Sequence, residues 1–159
     1  MTAGTILALD PGTTETGWVE YCAEHGHVLD SGVGENSEVL DKVRWTSQVT
    51  PNRLLAIEMI ASYGMAVGRE VFETCVWIGR FQQAWHDPTN VRRVYRQTVK
   101  LHLCNSPRAK DANVRQALLD RLGPQGTKKA PGPTYGVKSH AWAALAVAVT
   151  MADQMKVAA

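Results

Sequence analysis

The stretch LALDPGTTETGW at residues 7–18 decides the fold of this 159-residue chain. An apolar run ends on Asp10, and a proline and a glycine follow at once. Residues 5–10 are therefore predicted to form a buried strand whose last side chain is a carboxylate, held at the edge of a sheet beside a glycine turn. An Asp before Pro-Gly is also an ordinary turn residue, so both interpretations stay open on this stretch alone.

Two more strands are predicted directly downstream, at residues 16–22 and 26–33, with a short turn between them. Three consecutive strands joined by tight turns are typical of an antiparallel meander. A short helix over residues 37–48, with Ser37 as its cap, comes next. Residues 53–60, RLLAIEMI, then read as a fourth strand that is apolar except at its glutamate.

The second half of the chain alternates helices with one more strand. The predicted elements are a long helix (65–85), a strand (91–95), a short helical segment (97–103), a helix (110–122), a mobile Gly-, Pro- and Lys-rich loop (126–136) and an apolar final helix (138–155). A strand meander followed by strands that alternate with helices predicts an α/β fold with a mixed five-stranded sheet and helices on both faces. We expect residues 1–159 to form a single domain.

Composition excludes several classes of protein. Hydrophobic residues make up 45% and charged residues 20% of the chain, which is typical of a folded globular protein. We expect no membrane span, because no apolar run approaches the roughly 18 residues that a spanning helix needs. We also expect no signal peptide. The three cysteines form no C-x-x-C pair, which favours reduced thiols and a cytoplasmic location.

Positive charge is concentrated in the second half of the chain. The formal net charge is only +2, yet residues 92–138 contain eleven Lys or Arg and two acids. This excess indicates either a solvated basic face or a surface for phosphate groups.

Three polar residues stand in apolar surroundings, and together they suggest a metal site. Glu58 lies inside the fourth strand, where a buried carboxylate costs several kcal/mol unless a cation or an arginine pairs with it. His140 lies in the first turn of the apolar final helix, where a single histidine is more often an ordinary polar residue at the protein surface. Together with Asp10, however, these side chains could hold a divalent cation.

Four segments resemble the RuvC family of Holliday-junction resolvases in the correct order. They are LALDPGTTETGW (7–18), LLAIEMI (54–60), RQTVKLHLCNSPRAKDANVRQALLDRL (96–122) and SHAWAALAVAVT (139–150). The chain is most similar to the short RuvC-like proteins of phages and prophages. The resemblance implies a ribonuclease H-like fold and a Mg²⁺-dependent endonuclease, with Mn²⁺ also possible, that resolves four-way or other branched DNA by symmetric nicks. It further implies a homodimer that acts in the cytoplasm of a bacterial host.

The resemblance also assigns residues to the active site. It implies Asp10, Glu58 and His140 as metal ligands. A fourth ligand position falls at Ala143, which has no donor atom. Asp111 is the candidate substitute, although it could equally be a helix cap.

Basic and aromatic positions are assigned to DNA in the same way. Arg96 and Lys110 match basic residues close to the active site of the family, where they would neutralise phosphate charge. Lys128, Lys129 and Lys138 would contact the DNA backbone. Tyr63 would wedge into the junction, or else it packs within the protein.

The sequence leaves two rival functions open. The first is a junction-binding protein with weak or no nuclease activity, because Ala143 replaces a ligating acid. The second is a phosphate-binding ATPase or sugar-kinase relative, suggested by D-P-G-T-T at residues 10–14, although the chain is short for a two-lobed protein of that kind. For the homodimer, we expect helix 65–85 to present Phe72, Val76, Trp77 and Phe81, which could equally be core residues.

Overall fold

The computed structural model describes residues 4–50 and 52–159 and contains a mixed five-stranded sheet. Its strands are β1 (Thr5–Pro11), β2 (Glu15–Cys22), β3 (His27–Glu35), β4 (Leu54–Met59) and β5 (Val91–Tyr95). The order across the sheet is β3-β2-β1-β4-β5. The meander β1–β2–β3 is antiparallel, whereas β4 pairs parallel with both β1 and β5. The predicted strand meander and mixed sheet are therefore confirmed.

Helices cover both faces of the sheet, as predicted. They are α1 (Asn36–Val49), α2 (Arg69–Ala84), α3 (Arg96–Cys104), α4 (Asp111–Leu122) and α5 (Ala141–Ala158), with a 3₁₀ turn at Pro88–Asn90. One hydrophobic core lies between the sheet and α3, α4 and α5, and a second lies between the opposite face and α1 and α2. No helix in the described part of the chain is long and apolar enough to cross a membrane.

Helix α5 packs across the middle of the sheet because it is apolar on almost every side. All residues from Ala141 to Ala152 except Ala143 are buried. Alanine side chains are small, so the helix axis can approach β1 and β2 closely. The helix begins at Ala141, three residues later than predicted, since Ser139 has a left-handed backbone (φ 50°) that helical geometry excludes. His140 therefore precedes the helix instead of lying in its first turn.

The start of α1 differs from the prediction. Ser37 is inside the helix, which begins at Asn36 and has no side-chain cap. The buried Asn36 side chain instead accepts a hydrogen bond from the Thr16 hydroxyl (2.6 Å) and donates one to the Gly12 carbonyl (3.0 Å). These bonds fix the helix to the turn that follows Asp10.

Helix α2 is shorter than predicted, and one of the residues expected at its exposed surface is buried. Its buried residues are Thr74, Ile78 and Phe81. The expectation that Phe81 is available at a dimer surface is therefore wrong, because its ring is fully buried in the second core. Phe72 and Val76 are exposed, as expected.

The segment predicted as a mobile loop, residues 126–136, is held by hydrogen bonds. The Gly132 amide donates to the Gln125 carbonyl (2.8 Å), and the buried Thr134 hydroxyl donates to the Gly123 carbonyl (2.9 Å). Gln125 in turn donates to the carbonyl of Val137, a fully buried residue (2.8 Å). This bonding gives the segment a defined path up to the start of α5, which its composition alone does not predict.

Candidate active site

Asp10 and Glu58 lie side by side at the carboxyl ends of two neighbouring parallel strands. Strands β1 and β4 are in register at Leu9 and Ile57, so the next residue on each strand is a carboxylate. Both side chains are buried, with 6% and 4% of each residue exposed. This register places the two acids next to each other at one edge of the sheet.

The closeness of the two carboxyls makes it difficult for both to be charged. Burial is the largest cause that raises the pKa of the Asp10 carboxyl, and with the neighbouring Glu58 carboxyl it brings the pKa to about 9. The positive charge of Arg96 lowers the pKa of Asp10, and the negative charge of Asp111 raises it. A cation placed between the carboxyls would remove this conflict.

Arg96 binds one oxygen of Glu58 and leaves the other free. Arg96 is the first residue of α3 and directly follows β5. Its Nε donates a hydrogen bond to Glu58 Oε1, with a distance of 2.8 Å between the two atoms. Glu58 Oε2 is buried and has no hydrogen-bond partner among the described residues. A buried acceptor without a partner costs about 1–3 kcal/mol, which a bound cation would offset.

His140 completes the group from the start of α5. Its Nδ1 lies 3.1 Å from Asp10 Oδ2, and 60% of its side chain is exposed. The contact depends on Gly17, which pairs with Asp10 across β1 and β2. A Cβ at this glycine would lie 2.3 Å from the carbonyl carbon of His140, so only glycine lets the two backbones approach.

These side chains open into a cavity of about 320 Å³ between the sheet, α3, α4 and α5. Its wall also contains Asp111, Ala143 and two basic residues, Lys100 and Arg115. Lys100 Nζ lies 3.8 Å from Asp111 Oδ1. The Arg115 guanidinium lies 4.9 Å from the centre of the Trp142 ring. The cavity therefore combines a buried acidic floor with basic side chains at its rim.

The structure brings together some predicted site residues and leaves others elsewhere. Asp10, Glu58, His140, Arg96, Asp111 and Ala143 all line the cavity. The remaining predicted residues are exposed and outside its wall; they are Tyr63, Lys110, Lys128, Lys129 and Lys138. The Lys110 amide bonds to Asn113 Oδ1 (2.9 Å) at the start of α4.

Sequence reasoning missed Lys100 and Arg115. Each follows an identified site residue by four positions, Arg96 and Asp111 respectively. Residues four apart lie on the same face of a helix, so this spacing could have identified both.

The residues present fit a divalent cation held mainly by the two carboxylates. No group of three His, Cys, Asp or Glu side chains is arranged to hold a metal within the described residues. Asp10 instead contacts Glu58 on one side and His140 on the other. Mg²⁺ in proteins commonly takes one or two carboxylates and fills its other positions with water and substrate phosphate. Two buried carboxyls with an unpartnered oxygen meet that requirement, and His140 as a third ligand stays a prediction.

Comparison with known proteins gives matches only at the level of structure. No family model and no curated protein sequence matches the chain. A structure of T. thermophilus RuvC in complex with Holliday junction substrate has a TM-score of 0.71 and 21% sequence identity, covering 97% of this chain and 96% of that one. A second Thermus thermophilus RuvC structure has a TM-score of 0.70 and 18% identity, covering 98% and 97%. The chain thus has the ribonuclease H-like α/β fold of RuvC over nearly its whole length.

Proposed function

We propose that this protein is a metal-dependent endonuclease that resolves four-way or other branched DNA by paired, symmetric nicks. The observation that carries the proposal is the buried Asp10–Glu58 pair, which opens into a cavity with basic walls. The fold is a second support, because a protein of the same fold has been solved with a Holliday junction.

The cavity offers the groups that phosphodiester hydrolysis requires. Asp10 and Glu58 would hold Mg²⁺ or Mn²⁺, which when bound supplies the Lewis-acid charge stabilisation of the reaction. Arg96, Lys100 and Arg115 would bind phosphate oxygens at the rim, where their charges offset the charge that develops in the transition state. His140 keeps Asp10 in place through its Nδ1 contact and is the predicted third ligand.

Branched DNA and a dimer complete the proposal. Two symmetric nicks in one junction need two symmetric sites, which a homodimer supplies. Phe72 and Val76 are exposed on α2 and would form part of the dimer surface. Tyr63 is exposed in the segment before α2 and would insert at the centre of the junction. Lys110, Lys128, Lys129 and Lys138 would contact the DNA backbone from outside the cavity. A phage-type resolvase of this kind would act in the bacterial cytoplasm.

Cleavage of a synthetic four-way junction tests the proposal. The protein is incubated with Mg²⁺ or Mn²⁺, and the products are mapped on a denaturing gel. We expect paired nicks with 5′-phosphate and 3′-hydroxyl ends, and no cleavage of a linear duplex of the same sequence. Absence of cleavage by both the natural chain and Ala143→Asp would exclude an enzyme of this type.

A junction-binding protein without nuclease activity is the second candidate. Ala143 lines the cavity and provides no donor atom, which favours it. This candidate predicts a mobility shift specific for four-way junctions with no nicking at any metal concentration, and nicking that appears in Ala143→Asp.

A further inference from the structure

The acidic and basic side chains that line the cavity are equal in number. Six charged side chains line it, and their formal charges cancel: Asp10, Glu58, Asp111, Arg96, Lys100 and Arg115. Because the side-chain charges cancel, two bound divalent cations would give this small cavity a formal charge of +4. One bound divalent cation would give it a formal charge of +2. A scissile phosphate and its neighbour in the DNA chain carry two negative charges, which one cation is enough to balance.

Arg96 already pairs with one of the two Glu58 oxygens that a second cation would use. Its Nε is 2.8 Å from Glu58 Oε1, so one half of the Glu58 carboxylate already has a positive partner. The other oxygen, Oε2, is buried and has no hydrogen-bond partner among the described residues. One oxygen of Glu58 therefore remains available to a cation, while the guanidinium of Arg96 holds the other.

We propose that this site takes a single divalent cation, and that Arg96 provides the second positive charge as a fixed part of the protein. The inference rests on the proposed metal-dependent function and specifies how that site is built. Ala143 adds no ligand on the α5 side of the cavity, and Asp111 is 86% exposed and faces Lys100. Asp10, Glu58 and Arg96 thus form a site for one ion.

Counting bound Mn²⁺ tests the inference without relying on catalysis. The full-length protein is titrated with Mn²⁺, free ion is measured by electron paramagnetic resonance, and the bound signal is examined for the exchange coupling of two adjacent ions. We expect one bound ion without coupling for the natural chain. We expect the same for Ala143→Asp, because Arg96 still occupies Glu58.

The double variant Ala143→Asp/Arg96→Met is expected to bind two ions that are coupled. Its matched control is Ala143→Asp/Arg115→Met, which removes an equal charge from the same cavity but leaves Glu58 paired, and which is expected to bind one. Thermal unfolding checks that each variant is folded, and Arg96→Gln replaces Arg96→Met if the latter does not fold.

Five results would overturn the inference. In the natural chain they are no bound ion or two bound ions. In the variants they are two ions in Ala143→Asp, one ion in the double variant, or two ions in the Arg115 control. Junction cleavage is measured separately on the same samples. A chain that binds one ion but cuts no junction would contradict the proposed function and leave the inference standing. A chain that cuts junctions and binds two coupled ions would contradict the inference and leave the proposed function standing.

Discussion

Two clusters in this molecule contain the same kinds of side chain and behave in opposite ways. In the first, Asp153 of α5 accepts hydrogen bonds from Arg121 of α4 (2.6 and 2.5 Å) and from His102 of α3 (2.7 Å). The hydrogen bond from Arg121 lowers the pKa of Asp153, and His102 adds to the effect. In the second, Asp10 contacts a histidine and lies near Arg96, yet its pKa is raised.

The pKa values of Asp153 and Asp10 shift in opposite directions for two reasons: the two carboxyls differ in burial, and they differ in how many basic partners each has. Asp153 is one carboxylate with two partners, and it ties three helices together near the surface. Asp10 shares its single arginine with Glu58, and both acids are buried. In the first cluster every charged group has a partner, and the cluster contributes to stability. In the second, two buried acids have one arginine between them, which suits them to bind a cation.

The largest expected effect separates the two clusters by activity. Asp10→Asn is expected to reduce junction cleavage by about 10³-fold or more, because a lost metal ligand removes several kcal/mol of charge stabilisation. The free energy of unfolding of the metal-free protein should not fall, since the amide carries no buried charge. Asp153→Asn is the control and should cleave normally. Equal cleavage by Asp10→Asn and the natural chain would contradict the assignment.

Gly17→Ala should disturb the contact between His140 and Asp10, although Gly17 itself has no side chain in that cluster. The added methyl must displace the start of α5, which we expect to lower the free energy of unfolding by about 1–3 kcal/mol. It should also reduce cleavage by about 10²-fold, since a shift of about 1 Å moves His140 away from Asp10.

The control for Gly17→Ala is Gly79→Ala in α2, where a Cβ meets nothing within 4 Å. This change should raise stability by about 0.5–1 kcal/mol, so it is the control for the stability effect. The role of Gly17 would be refuted if Gly17→Ala retained full cleavage.

Arg121→Ala tests the complete cluster. We expect the free energy of unfolding in urea to fall by about 1 kcal/mol, because Arg121 is partly exposed and makes two hydrogen bonds to Asp153. Cleavage should not change. Arg44→Ala is a matched surface control, since its partner Asp41 is 77% exposed and the pair contributes little. Loss of cleavage in Arg121→Ala would mean that the two clusters are coupled.

The smallest effect is a dependence of stability on pH. The folded-state pKa of Asp153 is lowered below its ordinary value of 3.8. Its stabilisation is therefore fully present above that value and is lost as pH falls through the folded-state pKa. The difference in unfolding free energy between the natural chain and Asp153→Asn should be constant near neutral pH and shrink in acid. A difference that grows as pH falls would have the wrong sign.

Local pattern predicted most of the fold because each strand and helix carries its own signal. The apolar run that ends at Asp10 and the glutamate inside residues 53–60 are visible without any tertiary contact. Helix α2 was harder, since apolar residues occur on several of its sides. Only packing against α1 and the sheet determines that Phe81 is buried while Phe72 is exposed.

The sequence by itself determined which residues are chemically unusual: a carboxylate at the end of β1, another inside β4 and a histidine before an apolar helix. These follow from hydrophobic pattern, which is local. Tertiary structure alone decided that Arg96 binds one oxygen of Glu58, and that Gly17 lets the backbone at His140 come close enough for the contact with Asp10. Such contacts join residues as many as 130 positions apart, and they depend on strand register and on the close approach of two backbones, which no local pattern encodes.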